Sequence, residues 1–156
     1  MNQCVALIRG INVGRARRVA MADLRALMEG LGYADVRTLL NSGNIVFKAQ
    51  RPSVQKQARA IEAAIARAFG FSASVLVVTA ADLAAIVKEN PLHAIAKDSS
   101  KCFVGFVSNR TALLEVKPLL DKSWKPDAIA IGAKAAYLWC ANGLIDSKLM
   151  QAFARV

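Results

Sequence analysis

Arg9-Gly10-Ile11-Asn12-Val13-Gly14 follows directly on the apolar run Gln3-Cys4-Val5-Ala6-Leu7-Ile8, and this junction decides the fold. The run reads as a buried strand that opens into a glycine-punctuated loop, with Arg15, Arg17 and Arg18 ahead of Val19. Met21, Leu24, Leu27, Met28 and Leu31 then recur at spacings of three and four, which places them on one helical face, and Gly32 supplies a left-handed cap. Val36 to Leu40 and Ile45 to Lys48 are strands. Asn41-Ser42-Gly43-Asn44 between them is a hairpin turn, because Asn and Gly tolerate positive φ. Pro52 suits the first turn of a second helix, whose buried stripe is Val54, Ala58, Ile61, Ile65 and Phe69 and whose stop is Gly70. Ser74 to Thr79 is a strand. The order is β-α-β-β-α-β, the ferredoxin-like arrangement.

The pattern then restarts. A short helix over 82–89 stops at Asn90-Pro91, and a loop runs to Ser100. Lys101-Cys102-Phe103-Val104-Gly105-Phe106-Val107 echoes the strand Gln3–Arg9. A helix near Leu113–Leu120 contains Pro118. Strands at 128–131 and 136–140 flank Gly132-Ala133-Lys134, and a last helix starts at Ser147. The expectation is an α+β protein of two ferredoxin-like βαββαβ-type subdomains, an internal duplication whose second copy is incomplete. Residues 1–80 form the first, 81–100 a connecting helix and loop, and 101–156 the second, packed as one compact body.

Composition narrows the setting. With 156 residues, 55% of them apolar, there is material for a packed core. No apolar run approaches the ~20 residues that span a bilayer, and Met1 to Val5 lacks the basic start of a secretion signal. A cytoplasmic protein with no membrane partner is expected. Cys4, Cys102 and Cys140 lie in separate apolar runs, so they read as reduced buried thiols and not as a disulfide framework or zinc site. The net charge of +10 is uneven. Residues 1–80 carry eleven Lys and Arg against four Asp and Glu, the remainder ten against seven. Such an excess either solvates the surface or meets an anionic partner.

No catalytic motif stands out. There is one histidine, His93, no GxSxG elbow, no HExxH helix and no cluster with metal-ligand spacing, so no metal or cofactor is expected. The loop after the first strand is the place for a ligand. Gly10 and Gly14 let backbone N–H groups approach an anion, Asn12 adds a side-chain amide, and Arg9, Arg15, Arg17 and Arg18 concentrate charge. Gly10-x-x-x-Gly14 matches neither a P-loop nor a dinucleotide fingerprint. Asn41, Ser42 and Asn44 either shape the hairpin or stand beside this site. Ser147 and Lys148 either cap the last helix or contact an anion. With 6% aromatic residues, base stacking is poorly supplied, so nucleic acid contact would run through phosphates. Three functional readings stand. The first is a binding module for an anionic small molecule or nucleic acid through Arg9–Arg18. The second is an enzyme with a polar pocket from the Arg9–Gly14, Asn41–Asn44 and Ser147–Lys148 loops. The third is a protein-interaction scaffold.

Arg9-Gly10-Ile11-Asn12-Val13-Gly14, Val19-Ala20-Met21-Ala22-Asp23-Leu24 and Asn41-Ser42-Gly43-Asn44-Ile45-Val46-Phe47 together resemble the signature of the bacterial domain of unknown function 1697 family. Asn90-Pro91-Leu92 and the stretch from Tyr137-Leu138-Trp139 to Ser147-Lys148-Leu149 are similar to its later blocks. The resemblance implies a two-subdomain ferredoxin-like fold and no activity, substrate or cofactor. Members usually read Gly-Gly where this chain has Gly14-Arg15, and a glycine and a basic residue where it has Ile145-Asp146. Asp146 speaks against an anion at Ser147-Lys148. Members also continue into a further tail, which implies a final element beyond those read here.

Overall fold

The computed structural model describes residues 1–50, 53–107 and 109–156. Two antiparallel sheets and five helices organise these residues into a mixed α+β protein. By their contacts they divide into two units, Met1–Leu83 and Ala84–Val156.

The first unit contains β1 (Asn2–Arg9), α1 (Met21–Gly30), β2 (Ala34–Leu39), β3 (Asn44–Ala49), α2 (Val54–Phe69) and β4 (Ser74–Thr79). Its strand order is β2-β3-β1-β4, with β1 antiparallel to both neighbours. Alternation along β1 turns Cys4, Ala6 and Ile8 inward. They meet Ile45 and Phe47 of β3, Leu24 and Met28 of α1, and Ile61 and Ile65 of α2 in one core. Each large side chain so buried contributes about 1.5–3 kcal/mol of transfer free energy. The expected first-turn role of Pro52 falls outside the described residues. Ser53 caps α2, its Oγ accepting the Lys56 N–H at 3.4 Å. One irregularity breaks the alternation that the sequence implied: the β2–β3 register shifts between Ala34 and Arg37, with Asp35 at φ +50. Lys48 Nζ reaches the Asp35 carboxylate at 2.7 Å, and this hydrogen bond holds the carboxyl below its ordinary range.

The boundary between the units falls inside α3 (Ala80–Lys88). Beyond it come β5 (Cys102–Phe106), α4 (Arg110–Val116), β6 (Ala128–Ile131), β7 (Ala135–Trp139) and α5 (Lys148–Phe153). The helix expected over 113–120 stops at Val116 and tightens into a 3-10 turn, Lys117–Leu119, because Pro118 offers no N–H to continue it. The second sheet runs β5-β7-β6, the same succession as β1-β3-β2. Both its faces are covered. Leu113, Val116, Leu119 and Leu149 pack with Phe103, Ile129 and Leu138 on one. On the other, Ile86 and Leu92 pack with Val104, Phe106 and Tyr137. The Tyr137 hydroxyl donates to the Ile86 carbonyl at 2.7 Å, so α3 and the segment after it belong to this sheet's packing.

All three cysteines are free thiols. Cys4 and Cys140 are fully buried, and burial pushes both thiols up. Cys102 is half-buried, with the Asn90 amide donating to its Sγ at 3.5 Å. In the folded protein at pH 8 a disulfide reagent is expected to label Cys102 at least about tenfold faster than the other two. Mass spectrometry of timed digests reads this, and equal rates would refute it.

Candidate functional site at the end of β1

Ile11 and Val19 are both buried, and the loop hangs between these two aliphatic anchors. Between them Val13 to Arg18 are exposed. A single side chain organises this arch. The Asn12 amide donates to the Val19 carbonyl at 3.0 Å and to the Asn41 carbonyl at 2.9 Å, while its Oδ1 accepts the Val19 N–H at 2.9 Å. The Asn12 N–H closes the turn onto the Arg17 carbonyl at 3.0 Å. Asn12 sits at φ +54, a conformation that Asn tolerates better than most residues.

The hairpin turn is drawn in by the same contacts. The Ile8 N–H donates to the Gly43 carbonyl at 3.0 Å. A Cβ on Gly43 would stand 2.8 Å from Ile11 Cδ1 and 3.0 Å from Ile8 Cβ, so this backbone lies directly on the loop's anchor. Asn44 Nδ2 donates to Ser42 Oγ at 2.8 Å. The Arg9–Gly14 and Asn41–Asn44 segments thus form one assembly. Their amides, however, are already engaged: Asn12 donates to the Val19 and Asn41 carbonyls, and Asn44 donates to Ser42 within its own turn.

The charges are left outward. Arg9, Arg15, Arg17 and Arg18 are all exposed. Neither the Lys48–Asp35 nor the Lys101–Asp98 ion pair involves these four arginines. Arg17 lies with its guanidinium 5.8 Å from the centre of the Phe71 ring, within cation–π range. Phe71 was not legible as part of the site, for it follows the Gly70 helix stop with nothing to link it to a loop more than fifty residues earlier.

The other residues singled out from the sequence serve elsewhere. Ser147, in the second unit, is buried and caps α5: its Oγ accepts the Met150 N–H at 2.9 Å and donates to Asp127 Oδ2 at 2.7 Å. Lys148 is exposed. His93 is exposed, its Nε2 3.2 Å from the Val87 carbonyl. Among the described residues no group of three His, Cys, Asp or Glu is placed to hold a metal ion, and no helix is long and apolar enough to cross a membrane. An open cleft of about 320 Å³ lies by the start of β1, lined by Tyr33, Ala49, Lys56 and Gln57 among others. No residue of the basic loop lines it.

The chain is similar in fold to a solved structure described as a conserved bacterial protein, SP0830, from Streptococcus pneumoniae. The TM-score is 0.79 at 22% sequence identity, over 99% of this chain and 87% of the other. No curated protein matches the chain. Residues 1–137, which include the Asn12 loop and the Gly43 turn, match the model of a family described as protein of unknown function (DUF1697). The chain therefore belongs to the DUF1697 family.

Proposed function

We propose that the protein is a cytoplasmic binding module for an anionic ligand, carried by the arch of Arg15, Arg17 and Arg18 with Arg9 at its base. The observation that carries this reading is a set of exposed guanidinium groups on a pinned loop, none of them part of the Lys48–Asp35 or Lys101–Asp98 ion pair. Arginine forks suit phosphate oxygens, and a loop fixed in advance loses little entropy on binding. In this reading Asn12 positions the loop and does not touch the ligand. The arch is exposed and none of its residues lines the 320 Å³ cleft, which favours the backbone of a nucleic acid over an enclosed nucleotide. The scaffold beneath is, in the same proposal, a duplicated ferredoxin-like fold. The order β2-β3-β1-β4 supports this for the first half, and β6-β7-β5 repeats its first three positions.

The test is binding of a fluorescein-labelled single-stranded oligonucleotide across a salt series. Arg15→Ala with Arg17→Ala is expected to weaken binding about tenfold and to reduce the slope of log K against log salt by about 1.5. Affinity and slope unchanged in the double variant would end the proposal.

A further inference from the structure

Among the described residues four other than glycine hold a positive φ: Asn12, Arg17, Asp35 and Leu40. Three of them lie in the loop and the hairpin turn that Asn12 ties together. Asn12 suits this conformation and Leu40 does not. Leu40 stands at φ +60, where asparagine or glycine would meet less strain, and 79% of it is exposed.

Leu40 has apolar company. Apart from Met1, the large apolar side chains exposed in the first unit among the described residues are Val13, Leu39 and Leu40. Val13 follows Asn12 and Leu40 precedes Asn41. The Asn12 amide holds the Asn41 carbonyl at 2.9 Å, so Val13 and Leu40 spring from adjoining points of one assembly. Neither they nor Leu39 belong to the core between the sheet and its helices. A single exposed leucine is ordinary on a protein surface. Here the exposed aliphatics of the unit gather beside the exposed Arg15, Arg17 and Arg18.

The two kinds of side chain ask for different things of one ligand. Arginines seek anionic oxygens, whereas valine and leucine seek apolar surface next to those oxygens. A regular duplex offers phosphates and the edges of its bases, with the base faces stacked out of reach. A single strand turns base faces outward beside its phosphates. We propose that the arch takes a single-stranded nucleic acid, with phosphates on Arg15, Arg17 and Arg18 and the faces of turned-out bases on Val13 and Leu40. This rests on the reading of the arch as an anion site and adds to it the form of the nucleic acid. The aliphatic pair takes the part that aromatic platforms play in other single-strand sites.

Leu40→Asn tests it. The change leaves the charge alone and puts a better-suited residue at φ +60, so the variant should melt no lower than the parent. Its affinity is measured for three fluorescein-labelled probes: a mixed-sequence strand of about 12 nucleotides, that strand annealed to its complement, and an abasic strand of the same length. Binding of the base-bearing strand is expected to weaken about fivefold with the salt slope unchanged, and binding of the other two to stay as it was. Undiminished affinity for the base-bearing strand overturns the proposal. So does an equal loss on all three probes, which would mean that the leucine acts through the shape of the loop. The Arg15→Ala, Arg17→Ala double variant tells the two readings apart: if it weakens all three probes while Leu40→Asn weakens none, the anion site stands and the single-strand site falls. Co-sedimentation with phosphatidylglycerol vesicles that Leu40→Asn abolishes, with oligonucleotide binding untouched, also overturns the proposal, by giving the aliphatic tip to a lipid surface.

Discussion

Gly43→Ala is expected to lower stability by about 3–4 kcal/mol, the largest effect of any single methyl group in the first unit. Two terms add. At φ +88 a side chain strains the backbone by about 1–2 kcal/mol. The new Cβ would also enter a closed space, 2.8 Å from Ile11 Cδ1, 3.0 Å from Ile8 Cβ and 3.1 Å from the Ile8 carbonyl oxygen, and overpacking of this kind adds about 1–3 kcal/mol. The Ile8 atoms are in or next to the backbone of a central strand and have nowhere to go. Gly14→Ala separates the two terms. Gly14 lies at φ +65, and nothing stands within 4 Å of the point an alanine methyl would occupy, so only the backbone term of about 1 kcal/mol applies. Thermal unfolding decides the matter: the Gly43 variant should melt about 10 °C lower and the Gly14 variant about 3 °C lower. Equal shifts would show that the hairpin does not rest on Ile8 and Ile11 as described.

Asn12→Ala should be nearly as costly, by about 3 kcal/mol. It removes three hydrogen bonds at about 1 kcal/mol each, two to carbonyls and one from an N–H, and places alanine at φ +54. Water reaches part of this site, which keeps the loss below that of a fully buried network. Asn12→Asp is the informative partner. It retains an acceptor for the Val19 N–H but turns a carboxylate toward the Val19 and Asn41 carbonyls, so it should be no milder than alanine. Denaturant midpoints measure both. If the loop reads anions as proposed, either variant also weakens oligonucleotide binding at temperatures where it remains folded. Full affinity in a folded Asn12→Ala protein would separate the arginines from the clamp.

The fold was largely legible because its signals are local. The Met21–Leu31 and Val54–Phe69 stripes fall on α1 and α2, and Ser74–Thr79 is β4 residue for residue. Local signals fail where a distant partner decides. The shift in β2, where Asp35 takes φ +50 and meets Lys48 across the hairpin, has no signature in the strand's own residues. Residues 81–100 read as a connecting helix and loop, since nothing in that stretch announces Tyr137, fifty-one residues from Ile86, as the group it packs on. The same limit governed the candidate site. Gly10, Asn12, Gly14 and the arginines could be named from composition and position. What Asn12 does could not, because its partners are main-chain atoms at Val19 and Asn41, which have no sequence signature.

The tie between Tyr137 and Ile86 has a consequence for dissecting the chain. A fragment cut at Lys101 would keep every strand of the second sheet yet strip Val104, Phe106, Tyr137 and Trp139 of their cover, and leave the tyrosine hydroxyl without its acceptor. A fragment that begins at Ala80 keeps both. The segment that resembles a tether is thus the second half's own lid, and any rearrangement of this gene that treats it as a spacer would separate a layer from its core.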